Sequence, residues 1–269
     1  MLVCQSVTKR FGALAAVEEL SFEVEQGLVL GIGGPNGAGK TTLFDVISGL
    51  QPITSGSVKL DGTDITKASA DKICHLGLAR TFQLNAGFDS MTGRENVQVA
   101  AYFGRLNRFF PGLRLGKETE RRTEEALELV GMRERAELPV VSAPVLDRKL
   151  LMIAGAIVTD PKLLLMDEPV GGLTPNEIDE VEAVVERVVQ EMKITVVLIE
   201  HVMRFLMRLS DRVLIMHHGS KLFEGLPQEV SENKEVIEVY LGKGAKARSK
   251  AWFKDKEAQA DESTQEAQP

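Results

Sequence analysis

The stretch that decides the fold is GPNGAGKT at residues 34–41, with the apolar run LVLGI at 28–32 shortly before it and TLFDVISG at 42–49 after it. Its pattern, G-x-x-x-x-G-K-[ST], lets backbone N–H groups curl around phosphates while the lysine reaches the β and γ positions. A helix that begins at the lysine would point its positive end at the same anion. The stretch therefore predicts nucleotide binding rather than an ordinary glycine-rich turn between a strand and a helix.

Two later strands end in polar side chains. The run LLLMDE at 163–168 delivers Asp167 and Glu168 to the carboxyl end of a buried strand, where ligands of α/β sheets bind. Asp167 is predicted to hold Mg²⁺ and Glu168 to polarise an attacking water as a general base. Another strand ends at Glu200 and His201, and this histidine is predicted to contact the γ-phosphate and orient the water.

The pattern along the chain indicates an α/β fold. Short alternating strands occupy about the first 60 residues, helical segments follow between about 84 and 150, and strands alternate with helices from 162 onward. Such alternation predicts a mostly parallel core sheet covered on both faces. The Lys-, Glu-, Ala- and Gln-rich residues 243–269 are predicted to be a disordered charged tail.

Composition limits the partners and the compartment. The net charge of −7 argues against a nucleic-acid partner, because such proteins usually present a basic face. The two cysteines, Cys4 and Cys74, suit a reducing cytosol. No apolar run approaches the roughly 20 residues of a spanning helix, so a role at a membrane would be peripheral.

These motifs in this order resemble the nucleotide-binding subunits of ABC transporters, a P-loop NTPase fold with an antiparallel β subdomain and an inserted helical subdomain. The resemblance covers residues 1–242, with the helical subdomain at about 84–150. It implies that ATP and Mg²⁺ are the cofactors, that Glu168, His201 and Gln83 are catalytic, and that Thr41, Gln83 and Asp167 are metal ligands. The residues that it implies for nucleotide binding are Phe11, Gly34, Asn36, Gly37, Ala38, Gly39, Lys40, Thr41 and Thr42. Phe11 would stack on adenine, and a core phenylalanine near a strand end is the equally favoured interpretation.

Three stretches are similar to the branch that imports branched-chain amino acids: GLARTFQ at 77–83, VVLIEHVMRFLM at 196–207 and NKEVIEVYLG at 233–242. Related members carry urea, short amides and other small polar solutes. The resemblance implies a head-to-tail pair of ATPase subunits beneath membrane-spanning permease subunits, on the inner face of the cell membrane. A solute-binding protein would deliver the cargo from outside.

The chain departs from the family at residues 142–147, SAPVLD. Locally this is a helix start, with Ser142 or Ala143 as the cap and Pro144 in the first turn. The family places its LSGGQ signature here, which completes the ATP site of the partner subunit. Aligned without gaps, Ala143–Asp147 occupy the signature, with Pro144 at the serine, Leu146 at a glycine, and Asp147 at the glutamine, where its charge would repel phosphate. A register shifted by two residues places Ser142 at the serine but still supplies no glycine and no glutamine. A weakened signature predicts an asymmetric pair with a second, different ATPase subunit.

Two other functions remain open at this point. The chain could be an ABC ATPase that is soluble or serves lipid export, or a regulatory subunit that binds ATP and hydrolyses little. The presence of both Glu168 and His201 argues against the regulatory function.

Overall fold

The computed structural model describes residues 1–82, 87–104 and 116–241. Its strands are β1 Leu2–Phe11, β2 Leu14–Val24, β3 Val29–Gly33, β4 Ser55–Leu60, β5 Thr63–Asp64, β6 Leu78–Thr81, β7 Leu163–Asp167, β8 Thr195–Ile199, β9 Arg212–His217 and β10 Ser220–Gly225. Its helices are α1 Lys40–Ile47, α2 Ala70–His75, α3 Gly93–Phe103, α4 Lys117–Leu129, α5 Val145–Ile157, α6 Pro175–Met192, α7 Met203–Leu209, α8 Pro227–Glu232 and α9 Lys234–Leu241.

A six-stranded sheet forms the centre, with the order β10-β9-β3-β8-β7-β6. All neighbours pair in parallel except β9 and β10, which form an antiparallel hairpin. Strands β3, β7 and β8 are buried along their whole length, because α5, α6 and α7 cover one face of the sheet while α1 and an antiparallel sheet cover the other. The mostly parallel sheet predicted from the sequence is confirmed.

The register of this sheet brings the predicted site residues to one edge. Asp167 pairs with Ile199, and Ile32 pairs with the same residue from the other side. Because the strands are parallel, the segments that follow β3, β7 and β8 all leave from their carboxyl ends. The phosphate loop, Glu168 and His201 therefore meet there.

A second, antiparallel sheet has the order β2-β1-β4-β5. Its apolar face shares one buried cluster with α1, in which Leu2 and Phe22 lie with Leu43, Phe44 and Ile47. This is the antiparallel β subdomain that the family resemblance implies. It rests on the helix that begins at the phosphate loop.

Helices α3, α4 and α5 pack together in the region predicted to be helical. A capping box at Thr92 and Glu95 begins α3, and Val97, Leu127 and Leu150 are buried in the cluster that the helices share with the core. Helix α5 continues to Ile157 and so joins the helical region to the central sheet.

The predicted cap of α5 is wrong. Ser142 ends a short 3-10 turn, Ala143 is extended, and Pro144 itself precedes the helix, which begins at Val145. The reason is local, because a residue before proline avoids the helical conformation. Pro144 carries no hydrogen-bonding side chain, so α5 begins without a side-chain cap.

Gln83 and the predicted tail at 243–269 lie outside the described residues. Among the helices that the structure describes, none combines the length and the apolar character that a bilayer crossing requires.

Candidate active site

The phosphate loop connects the end of β3 to the start of α1, and backbone contacts fix its shape. Gly34 has φ of 147°, and a Cβ there would lie 2.3 Å from the carbonyl oxygen of Met216. Gly39 has φ of 98°, and a Cβ there would lie 2.0 Å from the carbonyl oxygen of Ala16. Only glycine fits these two positions, so the loop lies directly against the backbone of both sheets.

Lys40 lies within the curve of this loop and is 5% exposed. Its Nζ donates to the carbonyl oxygens of Gly34 at 2.7 Å and Pro35 at 3.0 Å. Burial lowers the pKa of Lys40, and the nearby Glu168 and Asp167 oppose that shift. The ammonium is thus held beside the loop amides, where a phosphate oxygen would compete with the two carbonyls for it.

Asp167, the last residue of β7, has one carboxylate oxygen engaged. Arg80 donates through Nη2 to Oδ2 of Asp167 at 3.0 Å and through Nη1 to Oδ1 of Asp45 at 2.7 Å. Oδ1 of Asp167 is buried and has no hydrogen-bond partner within the described part of the chain. Burial raises the pKa of Asp167, and Arg80 opposes that shift.

This orphaned oxygen fits a hard divalent cation. Mg²⁺ prefers oxygen ligands and keeps several waters, binding through one or two protein groups plus phosphate oxygens. Thr41 lies exposed in the first turn of α1 and offers a hydroxyl. Within the described residues, no group of three or more histidine, cysteine or acidic side chains is placed to hold a metal alone. A cation here would depend on the nucleotide for its remaining ligands.

Glu168 and His201 form the second polar pair of the site. Nε2 of His201 lies 2.8 Å from Oε1 of Glu168, and the two side chains are 35% and 18% exposed. Glu168 has φ of 48°, a left-handed conformation that is costly for a residue with a side chain and is typical of functional positions. The structure thus brings together the predicted general base and the histidine that is predicted to orient the water, within reach of solvent.

Phe11 ends β1, pairs with Leu14 and is 48% exposed. Its exposure disagrees with the interpretation of a core phenylalanine. Lys9 Nζ lies 4.7 Å from the centre of its ring. Because β2 lies against the phosphate loop through Ala16, the exposed ring of Phe11 lies on the sheet that borders the loop.

The comparisons with known proteins agree with this geometry. The family model described as ABC transporter matches residues 17–171, which include the phosphate loop, Asp167 and Glu168. The chain belongs to the ABC transporter family. A second model, described as branched-chain amino acid ATP-binding cassette transporter, matches residues 220–246.

Among ABC transporter proteins, the branched-chain amino acid transport ATP-binding protein BraF of Pseudomonas aeruginosa is 35% identical to this chain. The match covers 90% of this chain and 98% of BraF. LivG of Escherichia coli strain K12, named in the same way, is 33% identical with the same coverage. A nucleotide-free ATP-binding cassette from an ABC transporter superposes with a TM-score of 0.81 at 27% identity, covering 90% of this chain and 99% of that one. The chain is an ABC-type ATPase subunit.

The segment at the position of the ABC signature is shaped by packing. Leu146 and Asp147 are 8% and 5% exposed, and Nη1 of Arg135 lies 2.7 Å from Oδ1 of Asp147. The expectation that the charge of Asp147 repels phosphate is therefore wrong, because the carboxylate is buried and paired. In and next to this segment, Ser142 and Pro144 are exposed, and so is the apolar pair Val141 and Val145, at 57% and 49%.

Three charged residues of this ABC site were not singled out from the sequence: Arg80, Lys149 and Glu200. Lys149 of α5 is 6% exposed, and its Nζ donates to the carbonyl oxygen of Glu168 at 2.9 Å. Glu200 is 1% exposed and follows β8 directly. A signal did exist, since each is a charged residue within or next to an apolar run. The residues that these three side chains contact lie far away in the sequence, so the apolar runs alone did not reveal the contacts.

Proposed function

We propose that this chain is the ATPase subunit of an importer for branched-chain amino acids or a related small polar solute of the amide or urea kind. The observation that carries the hydrolytic part is the 2.8 Å pair of Glu168 and His201 at the sheet edge that holds the phosphate loop. The solute class is supported by the names of BraF and LivG and by the family model that matches residues 220–246.

In the proposed reaction, Lys40 leaves the loop carbonyls and binds the β- and γ-phosphates, while Phe11 stacks on adenine. Asp167 and Thr41 would hold Mg²⁺, whose charge offsets that of the phosphate oxygens, and the resemblance adds Gln83 to that set. Glu168 accepts a proton from the attacking water, and His201 orients Glu168 and contacts the γ-phosphate. Arg80 keeps Asp167 turned toward the loop.

Two surfaces of the described chain support the proposed partner subunits. A groove of about 510 Å³ lies between the helical region and the core, with Phe82, Phe88 and Phe103 among its lining residues. These rings are 39%, 56% and 58% exposed, an apolar surface that suits a segment of a membrane-spanning permease subunit. The proposed place of the chain is therefore the inner face of the cell membrane.

The second surface is the start of α5, which would complete the ATP site of a neighbouring ATPase subunit. Pro144 offers neither a hydroxyl nor an N–H, and Leu146 stands where a glycine would let the backbone approach phosphate. The helix dipole supplies about 0.3–1 kcal/mol, against about 1.5–3 kcal/mol for each lost charge-assisted hydrogen bond. We therefore propose a heterodimer in which Lys40, Asp167 and Glu168 serve the stronger site and the signature comes from a different ATPase subunit.

The test is purification through a tag on this chain in mild detergent, followed by identification of the bound subunits. We expect permease subunits and a second ATPase. A homodimer that hydrolyses ATP at full transporter rates overturns the asymmetric pair, and the absence of membrane subunits favours an ABC ATPase of another process.

Two further measurements test hydrolysis and cargo. Glu168→Gln is expected to reduce steady-state hydrolysis by about 100-fold or more, and an unchanged rate would favour the regulatory function. The associated solute-binding protein is expected to bind leucine, isoleucine or valine, or else a short amide or urea. Binding of none of these overturns the solute class.

A further inference from the structure

Glu200 is a buried carboxylate that no proposed step of hydrolysis uses. Its Oε1 accepts from the backbone N–H of Val170 at 3.0 Å. Its Oε2 accepts from the N–H groups of His201 at 2.8 Å and Val202 at 3.0 Å. Burial raises the pKa of Glu200, and these three N–H groups oppose that shift. A carboxylate in such a place is tolerated only when hydrogen bonds replace its water.

The three amides belong to two different segments of the chain. His201 and Val202 follow β8, whereas Val170 lies two residues beyond Glu168 in the segment that follows β7. The backbone N–H of Glu168 also donates to the carbonyl oxygen of Ile199 at 2.9 Å. The carboxylate of Glu200 thus connects the two segments that carry the 2.8 Å pair of Glu168 and His201.

Lys149 adds a third attachment from helix α5. Its Nζ donates to the carbonyl oxygen of Glu168 at 2.9 Å. Burial lowers the pKa of Lys149, and among the acids that oppose the shift Glu200 is the strongest, ahead of Glu168 and Asp167. The backbone of Glu168 is therefore held from the side by the helix that begins at the signature position.

We propose that Glu200 and Lys149 are positioning residues that fix the separation and orientation of Glu168 and His201. The inference rests on the proposed roles of that pair and goes beyond them, because no proposed step of hydrolysis uses Glu200 or Lys149. Catalytic side chains need neighbours that hold them to within about 0.5 Å of productive geometry. The hydrogen bonds of Glu200 and Lys149 to the backbone on both sides of the pair hold the two side chains in this way. They also hold the backbone of Glu168 in its left-handed conformation.

The test uses the complex purified through a tag on this chain, with Glu200→Gln as the main variant. Glutamine has the same shape, but its NH₂ group cannot accept, so in either orientation of the amide the N–H of Val170 or those of His201 and Val202 lose their acceptor. We expect the single-turnover hydrolysis rate to fall by about 10- to 100-fold, since misplacement near 1 Å costs about 100-fold. The Kd for ATP without Mg²⁺ should change by less than about 3-fold, because the phosphate loop is untouched.

A double-mutant cycle separates positioning from general stability. If Glu200 acts through His201, the double variant E200Q/H201A hydrolyses no more slowly than His201→Ala alone, within about 2-fold. Losses that multiply overturn the proposal, and so does a wild-type rate in E200Q. If Glu168→Gln and His201→Ala both keep the wild-type rate, the proposed site itself has failed, which is a distinct result.

The matched control is Glu182→Gln, which also neutralises a buried acid. Glu182 is 3% exposed on α6 and pairs with Nε of Arg208 at 2.5 Å, away from the phosphate loop. Glu182→Gln should lower the Tm and leave the hydrolysis rate unchanged. Lys149→Met keeps the proposal testable if E200Q does not fold: it should lower the rate by about 10-fold with little effect on Kd, and an unchanged rate overturns the proposal.

Discussion

Arg80 donates to Oδ2 of Asp167 at 3.0 Å, and the other carboxylate oxygen is buried without a hydrogen-bond partner among the described residues. The arginine side chain is 5% exposed and that of Asp167 is 1% exposed, so the pair lies in surroundings that screen charge poorly. The structural consequence is that the ionised form of the proposed metal ligand depends on one guanidinium.

Replacing Arg80 should therefore change the pH dependence of hydrolysis. Arg80→Met removes the group that opposes the burial-induced rise in the pKa of Asp167, so the carboxylate protonates at a higher pH. The acid limb of kcat/KM against pH should move to higher pH. Arg80→Lys keeps the charge and should move it less. An acid limb at the same pH in both variants would show that Asp167 does not control it.

Asp167→Asn should change the pH dependence of stability as well as abolish hydrolysis. The folded pKa of Asp167 lies above its ordinary value of 3.8, so its stabilising contribution is present below that pH and is lost as pH rises through the folded pKa. Asparagine does not titrate. The Tm of the variant minus that of the wild type should therefore increase as pH rises above 3.8, measured by calorimetry without nucleotide.

Asp61→Asn supplies a control of opposite sign. Lys162 pairs with Asp61 at 2.7 Å and lowers the pKa of that carboxyl below its ordinary value. The contribution of Asp61 to stability is fully present above pH 3.8, its ordinary pKa, and is lost as pH falls through the folded pKa. The Tm of Asp61→Asn minus that of the wild type should therefore decrease as pH rises toward 3.8 and stay level above it. Equal slopes for the two variants would contradict both assignments.

Gly34→Ala should abolish nucleotide binding, because the new Cβ would lie 2.3 Å from the carbonyl oxygen of Met216 and the phosphate loop must shift. Gly62→Ala is the matched control. It has a similar positive-φ requirement, 78°, but nothing lies within 4 Å of a Cβ there. The control should lose about 1 kcal/mol of unfolding free energy and bind ATP normally. Titration with a fluorescent ATP analogue and urea unfolding distinguish the two, and ATP binding by Gly34→Ala would refute the steric argument.

Arg135→Gln should destabilise the start of α5. Asp147 is 8% exposed at its side chain and would keep its charge without its 2.7 Å partner, at a cost of about 1–2 kcal/mol after allowance for the half-exposed arginine. Arg121→Gln makes the same charge change on the outer face of α4, where Arg121 pairs with Glu118 and Glu125. That control should be indistinguishable from wild type in urea unfolding. Equal losses in the two variants would show that the burial of Asp147 has no energetic effect.

The sequence was informative where a local rule led to a position in space. The loop at 34–41, Asp167, Glu168 and His201 each follow a strand, and parallel strands bring their carboxyl ends to one edge. Their meeting could therefore be predicted without knowing the strand order. The helical region between about 84 and 150 followed from periodicity in the same way.

The sequence failed where the decisive partner is remote. Arg135 neutralises Asp147 from 12 residues away, and Glu200 reaches Val170 from 30 residues away. No pattern in either segment encodes such a contact, since it arises from how α5 and the sheet pack. The cap of α5 failed for a different reason, because the effect of Pro144 on Ala143 outweighed the preference of serine for a cap.

Two glycines of the phosphate loop lie in close contact with two different sheets. Gly34 lies against the backbone of β9 in the central sheet, and Gly39 lies against the backbone of β2 in the antiparallel sheet. The loop at 34–41 thus lies where the central sheet and the antiparallel sheet meet. Because a Cβ fits at neither contact, any change in the angle between those sheets would have to be accommodated by the loop that would hold the phosphates.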